Sequence, residues 1–444
     1  MEHSAKVGRP RVLRTRTLAT LAFAVSLIVT ACTGSSATTA PGGTQAGGAS
    51  QAAASQPAAG GPVTLRFLFP EYSAKTVDLM TSVVNDFNAA NQGKITVQLE
   101  TAPWDKMHDK LAVSMGSGQA PCVFGYATRW ISEFAGLKQL EPLDSYLQGD
   151  FKASFIPKLL DAGILGGVTY GIPVAASARL MFYNKDLFAK AGIANPPANW
   201  DELKTDSVKT ANPPSNYGLG VPASGIEVDT FFDYFLWNNG GDILDANGKS
   251  MLSQPASVEA LQYLVDLVKA GGSQPKPTGF TREQIIEMFK GGQLSMYPTG
   301  PWMNAMIKAD SPNLNYGFAM FPVNGSNKQA TVSVTDSMGL SSSCANKAEA
   351  WQFVQFMYQP KYRQTFDETE GMLPELTAVA QSDYFQAPDY KPFVDALATA
   401  KFQPQHPKFE QIQQIMTVAV QKALTGEMTP QQALDDATSK INGL

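Results

Sequence analysis

Histidine is almost missing from this chain. His3, His108 and His406 are the whole supply, and no HExxH or Cys/His spacing brings them together. That leaves no pattern for a zinc site and no marked serine triad. GxSxG, a phosphate-cradling glycine loop and the dinucleotide fingerprint are absent as well. Carboxylates are common, so a glycosidase or lyase pair is the one enzyme chemistry that the pattern leaves open. Basic residues form no block beyond the first sixteen positions and the net charge is -5, so nucleic acid is not an implied partner. No cofactor or metal is implied. Cysteine occurs only three times, at Cys32, Cys122 and Cys344.

What is present begins with an export signal. Arg9, Arg11, Arg14 and Arg16 precede an apolar run from Leu18 to Val29, closed by Val29-Thr-Ala-Cys32. Roughly a dozen apolar residues fall short of the about 20 that span a bilayer, so residues 1–32 read as a secretory signal. Residues 33–62 contain only Thr, Gly, Ser, Ala, Pro and Gln. Such a segment buries too little surface to offset its ordering entropy and is expected to be a disordered tether spanning about 30 Å. The rest is too long for one core and suits two lobes.

Gly171-Ile-Pro173 ends one element, because proline donates nothing to a sheet ladder. Leu180-Met-Phe-Tyr183 reads as a buried strand. Asn184 is placed to cap a short helix stopping at Gly192, and Asn199 with Glu202 has capping-box spacing. Upstream, Val63–Phe69, Lys94–Leu99 and Val123–Tyr126 alternate with helices, which implies βαβ units and ligand at the strands' carboxyl ends. Downstream, helices are expected over Glu227–Trp237, Val258–Ala270, Thr281–Phe289, Ala348–Tyr358 and Phe409–Leu424.

The stretch Gly171-Ile-Pro173, Tyr183-Asn-Lys-Asp-Leu-Phe188, Pro196-Pro197 and Trp200-Asp-Glu-Leu203 resembles a signature of bacterial extracellular solute-binding proteins of ABC importers, the maltose- and glycerol-phosphate-binding type. Phe289-Lys-Gly-Gly through Gly300-Pro-Trp302 is similar to a second one. Gly118-Gln-Ala-Pro121, Leu140-Glu-Pro-Leu-Asp144, Asn239-Gly-Gly-Asp242 and Gly371-Met-Leu-Pro374 follow the family's order. The resemblance covers residues 63 to 444.

It implies an α/β, two-lobed periplasmic-binding-protein-like fold of class II type, each lobe a mostly parallel sheet flanked by helices, joined by hinge crossovers. Lobe 1 is expected over 63–175 plus about 338–390, and lobe 2 over 176–337 plus about 391–444. The implied function is capture of a carbohydrate (oligosaccharide, sugar or polyol) by closure, with delivery to membrane permease subunits and their ATPases. A glycerol-phosphate, glycerophosphodiester or acidic-sugar ligand is the alternative, and a secreted glycosidase or lyase or a non-transport sugar sensor stands behind it. Cys32 resembles a lipobox cysteine, which implies a lipid anchor on the outer face of the cell membrane and a monomeric body. Strand order in the family implies a Cys122–Cys344 disulfide, with two buried free thiols as the other reading.

Sugar sites need flat aromatics and bidentate polar groups. Trp302, after Gly300-Pro301, is the leading candidate, with a core tryptophan as its bland reading. Tyr126 aligns with a cleft aromatic of the family. Tyr72, Trp104, Thr128 and Trp130 stand at strand ends, and for Tyr126, Trp104 and Trp130 cleft and packing roles weigh equally. Glu71 is a candidate hydroxyl acceptor or a solvated surface group. Arg129 and Arg179 are candidate donors or members of ion pairs. Ser177 sits where some relatives carry an acid. Asp229 (or a helix cap), Asp336 and Met372 complete the set.

Overall fold

The computed structural model describes residues 61–444. The expected signal, lipidated Cys32 and nearly all of the 33–62 tether lie outside the described residues. The first sheet starts with β1 (Val63–Glu71), α1 (Thr76–Ala90), β2 (Ile95–Pro103), α2 (Trp104–Gly116) and β3 (Val123–Ala127). β1 lies parallel to β2 from Val63↔Ile95 to Glu71↔Pro103 and parallel to β3 on its other side. Period two sorts the side chains. Leu65, Phe67 and Phe69 join a core under α1, whereas Leu68 joins Phe124, Met107 and Phe134 on the opposite face.

Two strands leave this sheet for the second lobe. β4 (Ile172–Ala178) runs into β5 (Leu180–Asn184) with only Arg179 between them. The second sheet adds β6 (Tyr217–Leu219), β7 (Leu294–Thr299) and β8 (Tyr316–Ala319), in the order β8-β5-β7-β6. Between them stand α3 (Val228–Asn238) and α4 (Trp302–Asp310). β9 (Thr331–Leu340) brings the chain back, antiparallel to both β4 and β3.

A third crossing follows α5 (Pro360–Glu370), where Leu373 N–H donates to the Ala176 carbonyl at 2.8 Å. β10 (Ala400–Phe402) then pairs with the start of β9, and α6 (Phe409–Thr425) packs on α3.

The two-lobed α/β class stands, but the second sheet is mixed where a mostly parallel one is expected. β5 is antiparallel to β7 and β8, and only β6 and β7 are parallel. The cause lies in the connection. β5 enters straight from the hinge and so points away from it, while β7 returns toward the hinge and delivers Gly300 and Trp302 at its end.

Local signals act as the sequence implies. The Asn184 side chain accepts from the N–H groups of Asp186 and Leu187 at 3.0 and 3.1 Å. Asn199 accepts from Glu202 N–H at 2.9 Å, although the Glu202 carboxylate turns to Ala198 N–H instead of closing the box. Cys122, before β3, and Cys344, after β9, are joined by a disulfide with Cα atoms 4.9 Å apart. It closes the end of the first sheet opposite Thr128–Trp130.

Candidate ligand cleft

The carboxyl ends of β1, β2 and β3 set an aromatic edge. The Tyr72 and Trp104 rings lie 5.4 Å apart, Trp104 and Trp130 6.0 Å, and the Arg129 guanidinium stands 5.6 Å from the Trp130 ring. Tyr72 donates its hydroxyl to Asp336 Oδ2 at 2.7 Å, which ties this edge to the returning hinge strand β9. Glu71 is half-buried at the end of β1 and Met372 half-buried just past α5.

Across from that edge, Arg179 fills the one-residue link between β4 and β5. It donates two bonds to Glu227, at 3.0 and 2.6 Å, and Arg282 reaches the same carboxylate at 3.1 Å. Burial works against charge on Glu227, but Arg179 and then Arg282 hold its carboxyl well below the ordinary range. The Arg179 guanidinium also lies 5.0 Å from the centre of the half-exposed Trp302 ring. Gly300 and Gly371 leave room for that ring: a Cβ on Gly300 would fall 1.9 Å from Trp302 Cζ3.

Asp336 sits between the two walls, and its pKa is pushed up to about 7. Burial is the main cause, opposed only in part by the Tyr72 hydroxyl and the charges of Arg129 and Arg179. An unfolded aspartate titrates near 4, so the folded chain holds a proton that the unfolded chain has lost between about pH 4 and 7. This contribution to stability is complete below pH 4 and fades as pH rises through 7. The melting temperature of the wild type minus that of Asp336→Asn is therefore expected to fall from pH 5 to about 7 and to level off above it. A difference that stays flat across that range contradicts the assignment.

Some expected contacts are not in the cleft. Tyr126 is fully buried and donates its hydroxyl to the Tyr170 carbonyl at 3.1 Å, because bare Gly171 and Gly339 let its ring sink into the first lobe. Ser177 is buried like all of β4, its hydroxyl on the Val334 carbonyl. The Thr128 hydroxyl is taken up inside the hinge by Ser337 and Thr335 at 2.8 and 3.0 Å, although the residue still lines the hollow next to Arg129. Asp229 neither caps α3 nor reaches solvent. It is fully buried and accepts from Gln413 and Gln403, each at 2.9 Å.

Those two glutamines and Glu410 escape the sequence reading. Glu410, in the first turn of α6, accepts from Arg129 Nε at 3.2 Å and from Trp130 Nε1, bridging the lobes. Arg129 and Gln403 also line a cavity of about 80 Å³ with Thr335 and Gln405 beside the hinge. A signal existed. Asp229 and Asp233 stand one turn apart in an otherwise aromatic helix, and two such carboxylates need buried polar partners.

Two sheets joined by hinge strands, with aromatics at the strand ends and a polar hollow lined by Arg129 and Gln403 beside the hinge, are the architecture of a two-lobed solute-binding protein. The family model described as bacterial extracellular solute-binding protein matches residues 73–364. The chain belongs to that family. A putative binding protein of Brucella abortus is 39% identical over 382 residues, covering 86% of this chain and 93% of its own. The maltotriose-binding protein of Pyrococcus abyssi is 26% identical, over 68% of this chain and 65% of its own. Among solved structures, an ABC transporter solute-binding protein of Thermotoga lettingae bound with alpha-D-tagatose superposes with a TM-score of 0.78. Its identity is 26%, and the match covers 86% of this chain and 99% of that one.

Proposed function

We propose that the protein is a substrate-binding lipoprotein of an ABC importer that captures a neutral carbohydrate between its lobes and releases it to the permease. One observation carries the neutral reading. Arg129 and Arg179, the arginines beside the aromatics, are each already paired with a carboxylate of the protein, Glu410 and Glu227. A phosphate or carboxylate on the ligand would have to compete with those partners. A sugar needs only ring faces to stack and hydroxyls to bond, and the indole of Trp302 with Tyr72 and Trp104 supplies the first. The sugar ligands of the Pyrococcus and Thermotoga relatives support the same class.

In this reading Glu71, Tyr72, Trp104, Arg129, Arg179, Gly300, Trp302, Asp336 and Met372 form the cleft, and residues 63–175 with 338–390 close on 176–337 with 391–444. Ligand touching both walls shifts the population toward closure. Cys32 carries the lipid, the body is monomeric, and no bond of the ligand is broken.

Thermal-shift screening against neutral mono- and oligosaccharides, polyols, uronates and glycerophosphodiesters tests this. A true ligand at a hundred times its dissociation constant stabilises by about 2.7 kcal/mol. Neutral sugars are expected to raise the melting temperature, and the anionic set is not. Stabilisation by phosphodiesters alone, or turnover of a labelled oligosaccharide, overturns the proposal.

A further inference from the structure

An amide presents a donor on one side and an acceptor on the other, so whatever holds its nitrogen decides what its oxygen offers. Three glutamines around the start of α6 have their nitrogens committed. Gln403 Nε2 lies 2.9 Å from both Asp229 Oδ2 and Asp233 Oδ2, and Gln413 Nε2 lies 2.9 Å from Asp229 Oδ1. Gln405 Nε2 donates to the Ala162 carbonyl, and Gln405 Oε1 is buried without a partner beside the same cavity. Gln403 and Gln413 are half-exposed, while Asp229 and Asp233 are fully buried. Burial raises both acids and the charge of Asp229 pushes Asp233 furthest, so the pair shares one proton. With Asp229 ionised, flipping either amide would set oxygen against its carboxylate, so each keeps its carbonyl turned away from Asp229. Glu410 lies one turn before Gln413 on the same face of α6 and adds another acceptor.

We propose that Gln403, Gln405, Gln413 and Glu410 make the second-lobe wall of the cleft a wall of acceptors, and that this wall selects ligands rich in hydroxyl donors over ligands carrying carboxylate or phosphate. Asp229 is the positioning residue. It touches no ligand, but it fixes the direction of two amides. The proposal rests on the carbohydrate reading and adds to it the group that discriminates. A hydroxyl gives its proton to a glutamine carbonyl, whereas an acid group meets oxygen with oxygen. Discrimination of this kind is large because a buried polar atom left without its partner loses its whole hydrogen bond.

The test pairs D-glucose, maltose and maltotriose with D-glucuronate as probes, using titration calorimetry on the whole protein. Wild type is expected to bind its best neutral probe at least tenfold more tightly than the uronate. In Asp229→Asn the carboxamide can donate to a flipped glutamine, so that ratio is expected to fall at least tenfold. Gln413→Met removes one acceptor at a half-exposed position. It should weaken the neutral probe about tenfold and lower the melting temperature by a few degrees, since Asp229 Oδ1 loses a donor, and its probe ratio keeps the idea testable if Asp229→Asn fails to fold.

A ligand-free readout comes from the glutamine side-chain amide protons. Those of Gln403 and Gln413 should resist solvent exchange in the wild type and lose that protection in Asp229→Asn. Equal weakening of both probes in Asp229→Asn, leaving the ratio unmoved, overturns the positioning role. Wild type that binds uronate as well as sugar overturns the wall. Failure to bind any probe sinks the carbohydrate reading and the proposal with it, and is distinct from equal binding.

Discussion

Arg363→Met is expected to destabilise the protein by about 3–5 kcal/mol, the cost of leaving a buried charge without its partner. Arg363 is 1% exposed, and its guanidinium serves two fully buried carboxylates. Nε donates to Glu375, and Nη2 donates to Asp367 at 3.1 Å and to the Val174 carbonyl. The Phe366 and Tyr358 rings stand 4.6 and 5.4 Å from it.

Burial first, and then the charge of Glu375, push the Asp367 carboxyl well up, so one cation and one shared proton balance the pair. Methionine fills the volume but removes the cation. Both carboxyls must then be neutral or the cluster must open. The damage falls on the hinge, since the group ties α5 to β4 through Val174 and to the third crossing through Glu375. Urea or thermal unfolding reads the effect, with a melting temperature lower by about 5 °C for a body of this size. Arg363→Lys keeps the charge without the planar fork and should fall between. A loss under about 1 kcal/mol for the methionine variant refutes this account of the cluster.

Nothing in the sequence pointed to that cluster. A pattern of charge cannot say which charges lose their water. What was legible obeyed local rules. Asn184 fixed the start of its helix, and Thr281 with Gln284 forms the full capping box that opens the helix Arg282–Lys290. Pro173, expected to end an element, lies inside β4 instead, where it faces Ser337 at a shift in the register with β9. The aromatic stripe of Glu227–Trp237 is core, as helical spacing required, with Trp237 3% exposed.

The candidate site was legible where a strand end or a Gly-Pro turn aims a side chain, as for Trp302, Tyr72 and Trp104, whereas Trp130 and Arg179 took their other readings, packing in the first lobe and an ion pair. It failed where depth decides. Tyr126 and Tyr72 both stand at strand ends, yet only Tyr126 has glycines behind it to sink into. Asp229 reads as a cap or a ligand but is buried on two glutamines instead, since those partners lie more than 170 residues further along the chain, on a segment that returns to the second lobe.

Gly300→Ala is expected to lower ligand affinity about ten- to a hundredfold while changing stability by less than about 1 kcal/mol. The backbone at Gly300 suits any residue, so the effect is purely one of space. The added methyl carbon would stand 1.9, 2.3 and 2.4 Å from Trp302 Cζ3, Cη2 and Cε3. The indole must swing away. On its other flank Gly371 already sits against the Trp302 backbone, where a Cβ would come within 2.6 Å of Trp302 Cα, so the base of the side chain cannot retreat.

Swinging the ring breaks its stacking with Arg179 and removes the flat face offered to a sugar, contacts each worth about 1 kcal/mol or more in a water-poor cleft. Trp302 is half-exposed, so little core packing goes with it. Calorimetric titration with the best neutral sugar, set beside Trp302→Ala, checks the claim. The two variants should lose affinity to a similar degree, with melting temperatures near wild type. If Gly300→Ala binds as the wild type does, the indole is no platform for ligand, and the aromatic wall of the cleft reduces to Tyr72 and Trp104.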